Sequence, residues 1–305
     1  MGVSLETSLG PKLVLSAPVM TASGTFGYGD VAPAAVDLGA LGAVVTKSIT
    51  RHPREGHPPP RISETPSGLL NAIGLANIGV DEFCREKLPA LARIGNLVIV
   101  SIAGSTMDEY AEVLSTIEEH NPDIGGYEIN VSCPNVAEGG MEFGVDCGMT
   151  ESLTRRLRDL TERFLMVKLS PNVTDIGAIA RSAAEGGADA LSAINTVVGM
   201  DIDPASGQPS LHTVLGGLSG PAIRPIALAC VYQVARAVQI PVVGLGGITD
   251  VDDVIRFLQA GAAAVQIGTA NYRDPTIAVE IIAALRDRLA GMGLAAPSDL
   301  PGVEA

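Results

Sequence analysis

Eight short apolar runs punctuate the chain, at 14–20, 43–47, 97–102, 126–131, 164–169, 189–194, 241–246 and 263–267. Each is nearly continuously apolar rather than alternating, the pattern of strands covered on both faces. Between them apolar residues recur at helical spacing over 30–39, 81–93, 107–120, 150–162, 174–185, 221–238 and 250–260, and again over 275–290 after the last strand. Asp108, Thr150, Thr174 and Asp250 stand where caps or first-turn acids belong. A weak internal repeat fits this rhythm. Leu38–Val44, Glu185–Ala190 and Gln259–Ala264 each join a helix end, a glycine turn and a small-residue strand entry. Eight strands alternating with helices predict an α/β fold, a (β/α)8 TIM barrel, as a single domain over 1–305. A doubly wound sheet is the alternative, although it usually has fewer strands and one switch-point site.

Two stretches break the rhythm. Residues 51–70 are proline-rich, and residues 196–220 are rich in Gly, Asp, Pro and Ser. Loops of this length commonly carry function or cover a site. With 47% hydrophobic and 18% charged residues, the chain has material for a large core. The formal net charge of −14 argues against nucleic acid or an anionic membrane as partner, because both select basic surfaces. No apolar run reaches the roughly 18 residues of a membrane helix, and the N-terminus has no signal-peptide pattern. The four cysteines (Cys84, Cys133, Cys147, Cys230) form no disulfide framework and no metal spacing, so a cytoplasmic protein with free thiols is expected.

In a barrel of this kind the site lies where strands end and βα loops begin. Those ends carry Thr21-Ala22-Ser23-Gly24, Lys47-Ser48, Ser101, Asn130 with Cys133, Lys168, Asn195-Thr196, Gly246-Gly247 and Gly268-Thr269. Lys47 and Lys168 each close an apolar run. One such lysine snorkels to solvent as readily as it binds a ligand. Two at one mouth make a local cationic site in an acidic protein, suited to a carboxylate or an anionic reduced cofactor. The glycine loops after strands seven and eight fit a phosphate, held by backbone N–H groups. There is no P-loop, and no Gly-x-Gly-x-x-Gly opens a first βαβ unit. Asn71-Ala72-Ile73-Gly74-Leu75-Ala76-Asn77 offers carboxamides to a planar polar ring, or else is ordinary turn chemistry.

Cys133 sits in Asn130-Val131-Ser132-Cys133-Pro134-Asn135, after an apolar strand and beside a strand-breaking proline. A buried structural thiol is the common fate of such a residue. A thiol near two lysines, followed by a glycine-rich loop at Glu138–Met141, instead suits a base or nucleophile working near neutral pH. His52, His57, His120 and His212 show no motif tying one of them to it. Cys84 and Cys230 fall within helical patterns, as core residues would.

Taken in order, Ala22–Gly27, Asn71–Leu75, Asn130–Asn135, Val167–Asn172, Ile194–Thr196, Gly217–Gly220 and Gly246–Ile248 resemble the class 1 dihydroorotate dehydrogenases over nearly the whole chain. Lys168-Leu169-Ser170-Pro171-Asn172 and Asn195–Met200 are most similar to subclass 1B, the NAD-linked catalytic subunit. The resemblance implies FMN across the barrel mouth. Its phosphate would lie at Gly246, Gly247, Gly268 and Thr269 near Gly220, with Ala22, Ser23, Lys47, Ser48, Ser101, Asn130 and Ile194 as further contacts. Lys168 would lie at the flavin N1/O2 edge. Dihydroorotate or orotate would be gripped by Lys47, Asn71, Ala72, Ile73, Gly74, Leu75, Asn130, Asn195 and Thr196. Cys133 would take the C5 proton as hydride leaves C6 for flavin N5; class 2 enzymes have serine there. Ser101 departs from the asparagine frequent at its position in the group.

The resemblance further implies a homodimer and, for subclass 1B, a heterotetramer with an electron-transfer subunit. This chain has no cysteine cluster for an iron–sulfur centre, so FAD and [2Fe–2S] would belong to that partner. Two other readings stay open: a fumarate-reducing subclass 1A enzyme without a partner, and a non-catalytic barrel binding phosphorylated ligands. The related dihydropyrimidine dehydrogenases act on substrates lacking the carboxylate that Lys47 would pair with.

Overall fold

The structure, a computed structural model, describes residues 2–30, 36–91, 97–132, 134–135 and 141–303. Eight strands close into a barrel: β1 (Val19–Thr21), β2 (Ala43–Val45), β3 (Val98–Ile102), β4 (Gly126–Asn130), β5 (Phe164–Leu169), β6 (Ala190–Ala193), β7 (Val242–Leu245) and β8 (Ala264–Ile267). Each strand pairs in parallel with its sequence neighbours, and β8 pairs with β1. The (β/α)8 barrel expected from the apolar runs is therefore present, and an open doubly wound sheet is not.

Seven of the eight runs fall on their strands within a residue or two. The first does not. The run 14–20 is split by Pro18, which lacks the N–H needed to continue a ladder. Val14–Leu15 instead pairs antiparallel with Thr7–Ser8, and the barrel strand starts at Val19. Leu9, Leu13 and Leu15 of this hairpin close one end of the barrel, packing on Met20, Ala43, Val45, Ile99, Phe164, Met166, Ala190, Val243 and Ala264.

Side chains alternate in and out along each strand. The outward set, including Val44, Val100, Tyr127, Ile129, Leu165, Val167 and Leu191, packs against the helices. The inward set begins apolar and turns polar further along. Ser101 follows Ile99 by two residues, Lys168 follows Met166 by two, and Ser192 follows Ala190 by two. On β4 the inward positions are Gly126, Glu128 and Asn130. One end of the barrel is thus a dry plug and the other a polar floor.

The surrounding helices include Met107–Glu119, Cys147–Arg158, Ile176–Glu185, Arg224–Ala237, Val251–Gln259 and Ile277–Gly291. Their caps bear out two expectations, Asp108 and Asp250, and correct two, Thr150 and Thr174. Thr106 caps the first of these, with Asp108 in its first turn. Asp146, not Thr150, caps Cys147–Arg158, because that helix starts three residues earlier than its apolar period suggests. Thr150 is buried and donates to the Phe143 carbonyl at 2.9 Å. Asp175 rather than Thr174 accepts from Ala178 N, whereas Asp250 caps Val251–Gln259 as expected. Of the helix expected over 30–39, residues 31–35 lie outside the described residues and Leu38–Ala40 is a 3-10 turn. The 81–93 pattern forms a helix from Val80 to Leu91 through a π-helical segment at Phe83–Lys87. Cys84 is buried in it, and that burial pushes its thiol up to about 11.

The two long loops meet. Ile62–Thr65, Gly68–Asn71, Gly216–Ser219 and Val197–Gly199 form a four-stranded antiparallel sheet, with Gly217 opposite Asn71 and Val197 opposite Leu218. A Cβ on Gly217 would lie 2.1 Å from Thr196 Oγ1, so this close approach requires glycine.

Candidate active site

The residues at the strand ends are brought together by hydrogen bonds that link the ends of five strands, β1 to β4 and β6. Ser48 Oγ lies 2.8 Å from Ser101 Oγ and 3.4 Å from Ser23 Oγ. Asn130 Nδ2 donates to Ser48 Oγ at 3.5 Å, and Asn195 Nδ2 donates to Asn130 Oδ1 at 3.2 Å. Asn195 Oδ1 in turn accepts from Thr196 N at 2.8 Å. Ser23, Ser48, Ser101, Asn130, Asn195 and Thr196 therefore form one continuous polar floor. Tyr110 fixes its centre by donating its hydroxyl to the Asn130 carbonyl at 2.6 Å.

Two lysines serve this floor from different depths. Lys47 continues β2 and is half-buried; burial, and after it the nearby Arg61 guanidinium, lowers its pKa from the ordinary lysine value. Lys168 is 7% exposed and stands opposite Asn130 on one side and Ser192 on the other. Ile194 is buried at the end of β6, where the Ala193–Ile194 peptide is cis. Ala22 is buried at the end of β1, its N–H donating to the Ile267 carbonyl at 2.8 Å.

The Asn71–Leu75 segment is held in a defined shape. Its Gly74 and Leu75 both have positive φ, +73° and +55°. Asn77, itself buried, clamps the turn: its Nδ2 donates to the Leu75 carbonyl and to Thr50 Oγ1, both at 2.8 Å. Asn71 Nδ2 donates to the Gly217 carbonyl at 3.1 Å, joining the two long loops. Asn172, after β5, ties its own loop to the second long loop, donating to the Thr196 carbonyl and accepting from Val198 N.

Beyond β7 and β8 lies a backbone cradle. Gly246 and Gly247 have φ of +133° and +75°. A Cβ on Gly247 would lie 2.7 Å from the Gly220 carbonyl oxygen and 3.0 Å from Arg224 N, so the two loops touch through backbone. A Cβ on Gly24 would meet nothing within 4 Å, and one on Gly268 would make ordinary contact with Ala22 Cβ at 3.5 Å and Thr25 Cγ2 at 3.8 Å. Thr269 Oγ1 donates to Ser219 Oγ at 2.8 Å. The fully buried Asp253 fixes the loop from behind, accepting from Thr249 N and Thr249 Oγ1 at 3.0 Å and pairing with Arg224 and Arg256. Such a cradle of amides at loop and helix starts suits a phosphate monoester.

The model of a protein family described as dihydroorotate dehydrogenase matches residues 5–289 of this sequence. The chain belongs to the dihydroorotate dehydrogenase family. Three relatives share the name "dihydroorotate dehydrogenase B (NAD(+)), catalytic subunit". The protein from Pelobacter propionicus is 51% identical over 290 residues, 95% of each chain. That from Trichlorobacter lovleyi is 50% identical over 291 residues, again 95% of each. That from Geobacter sulfurreducens is 49% identical over 290 residues, 95% of each. The resemblance to subclass 1B in the motifs around Lys168 and Asn195 is matched by these relatives. As a member of an oxidoreductase family, the chain is an enzyme rather than a non-catalytic barrel.

Cys133, the expected catalytic base, lies outside the described residues, as does most of the loop that follows it. Of the other expected site residues, Ser23, Ser48, Ser101, Asn130, Asn195 and Thr196 are joined in the polar floor, Gly247 meets Gly220 in the cradle with Thr269 bonded to Ser219, and Asn71 is tied to Gly217 beside Thr196. Reading the sequence for polar strand ends overlooked Glu128, Ser192 and Gln266, which lie one inward position deeper. The two-residue alternation would have found them: Glu128 precedes Asn130 by two, and Gln266 precedes Gly268 by two. Asn77 and Asp253, which hold the binding loops, carry no local signal beyond turn and cap chemistry. Among the described residues no group of three or more His, Cys, Asp or Glu is placed to hold a metal ion. Among them also, no helix is long and apolar enough to cross a membrane.

Proposed function

We propose that this chain oxidises (S)-dihydroorotate to orotate in de novo UMP synthesis, with FMN at the barrel mouth. The observation that supports it most is the continuous hydroxyl–carboxamide floor from Ser23 to Thr196, with Lys47 and Lys168 on it and a glycine cradle beside it. The donor set fits the cofactor. Gly220, Gly246, Gly247, Gly268 and Thr269 would take its phosphate. Ala22, Ser23, Lys47, Ser48, Ser101, Asn130, Lys168 and Ile194 would contact the rest. Ser101, in place of an asparagine, offers a shorter hydroxyl already bonded to Ser48. Bound FMN supplies the acceptor for the hydride that leaves C6.

The chain's own residues do the remaining work. Lys47 pairs with the substrate carboxylate. Asn71, Asn130, Asn195 and Thr196 present donors and acceptors to the pyrimidine ring, while Ala72, Ile73, Gly74 and Leu75 line it with backbone. Cys133 accepts the C5 proton as the C5–C6 bond gains double-bond character. Because Asn130 and Asn195 are bonded to each other beforehand, the ring meets a preorganised surface and little reorganisation is needed.

The relatives are named catalytic subunits, which supports a partner for this chain as well: a homodimer within a heterotetramer whose second subunit carries FAD and [2Fe–2S] and delivers electrons to NAD in the cytoplasm. The test is to assay the chain alone and co-purified with that subunit. Dihydroorotate-dependent NAD reduction only in the complex supports the proposal. Fumarate reduction by the chain alone refutes the NAD route, and a protein that cannot be loaded with FMN refutes the cofactor.

Lys47 makes a pH prediction. Its folded pKa is lowered, so it gives up its proton at a lower pH than a free lysine. Orotate affinity should fall as pH rises, beginning below the usual lysine range. Lys47→Met should weaken orotate binding by about 10–10² fold, the scale of one lost charge-assisted hydrogen bond, and remove the lysine part of that profile. Titration of orotate against flavin absorbance in both proteins checks this; parallel profiles would contradict it.

A further inference from the structure

Beneath the polar floor, inside the barrel, Glu128 is fully buried on β4. A carboxylate in such a place is costly unless its charge is paired and its oxygens are bonded. One oxygen is well served: Oε1 accepts from Ser192 Oγ at 2.9 Å and from Gln266 Nε2 at 2.7 Å. The other, Oε2, has no hydrogen-bond partner among the described residues. It faces the ammonium of Lys168 at 4.0 Å, beyond hydrogen-bond distance but within direct Coulomb reach. An oxygen left so in a fully buried side chain requires an explanation. The two donors on Oε1 come from β6 and β8, so the carboxylate is tied across the barrel axis and is not free to close the gap to the lysine.

We propose that Glu128 is a positioning residue for Lys168, a fixed counter-charge below it that offsets part of the positive field the lysine presents at the barrel mouth. The inference rests on the FMN site proposed above, since Lys168 is the residue assigned there to the flavin N1/O2 edge. The 4.0 Å separation matters. A tight ion pair would turn the lysine downward and cancel most of its field. A lysine with no acid near it would favour the anionic reduced cofactor so strongly that electrons would leave less readily. Held at this distance, Glu128 tempers Lys168 without capturing it. Ser192 and Gln266 set the distance.

The test is the flavin midpoint potential of FMN-loaded protein, with flavin content and spectrum as controls. In Glu128→Gln the side chain keeps its size and its Oε1 acceptor, and the negative charge is gone. The proposal expects the potential to rise by about tenfold in the two-electron reduction equilibrium, which is ~30 mV. Glu128→Asp, which keeps the charge but draws it away from the lysine, should give a smaller rise. A merely structural role predicts the opposite: a loosened Lys168 and a potential that falls. An unchanged or lowered potential in either flavin-loaded variant overturns the proposal. Loss of flavin by both variants while the parent stays yellow assigns Glu128 a structural role and also overturns it. A parent protein that takes up no FMN overturns the functional reading itself, and this inference with it.

Discussion

Cys133→Ser is expected to slow reduction of the bound flavin by dihydroorotate at neutral pH by about 10²–10⁴ fold, the usual cost of a lost general base. The hydroxyl is isosteric enough to leave binding intact, so orotate affinity should change little. The loss arises because a serine hydroxyl is a far weaker acid than a thiol, and at neutral pH almost none of it is ionised. The defect should therefore shrink as pH is raised, more steeply than in the parent. The resemblance in Asn130–Asn135 and the polar floor carry this expectation, Asn130 being fixed three residues away by Tyr110 and Asn195. Anaerobic rapid mixing reads the step directly. A variant reduced as fast as the parent would remove Cys133 from the mechanism.

Lys168→Met is expected to have the second large effect, slowing the same step by about 10²–10³ fold. At 7% exposure, the ammonium has little water to screen it. Its removal also leaves Glu128 buried without its counter-ion, a change that destabilises by about 3–5 kcal/mol when one member of a buried pair is deleted. Two measurements separate these consequences. The midpoint potential should drop, and the melting temperature should drop independently of substrate. A slowed reaction with an unmoved potential would show that the lysine does not act on the cofactor.

Much of the architecture was legible in the sequence because parallel strands buried on both faces leave dense apolar runs, and eight of them alternate with amphipathic helices. The run at 14–20 misled because Pro18 divides two strands that composition alone does not distinguish. The sheet formed by the two long loops was not legible. Gly216, Gly217, Gly68 and Asn71 carry no strand propensity, and the pairing of Gly217–Ser219 with Leu69–Asn71 spans more than a hundred residues of chain. In the site, the last inward residue of a strand is conspicuous, as Lys168 and Asn130 are, because it breaks an apolar run. Glu128, Ser192 and Gln266 sit within their strands, where one polar residue between apolar neighbours reads as an exposed face. Only closure of the barrel makes that face its interior.

The central claim is that the floor built from Ser23, Ser48, Ser101, Asn130 and Asn195, with Lys47 and Lys168, holds FMN and oxidises dihydroorotate. Anaerobic addition of dihydroorotate to the purified, FMN-loaded protein, followed by visible absorbance, tests it most directly. The account predicts that the oxidised flavin band bleaches with one equivalent of dihydroorotate per flavin and that an equal amount of orotate forms. A protein that cannot be loaded with FMN, or whose flavin band is unchanged after prolonged incubation with dihydroorotate, would contradict it.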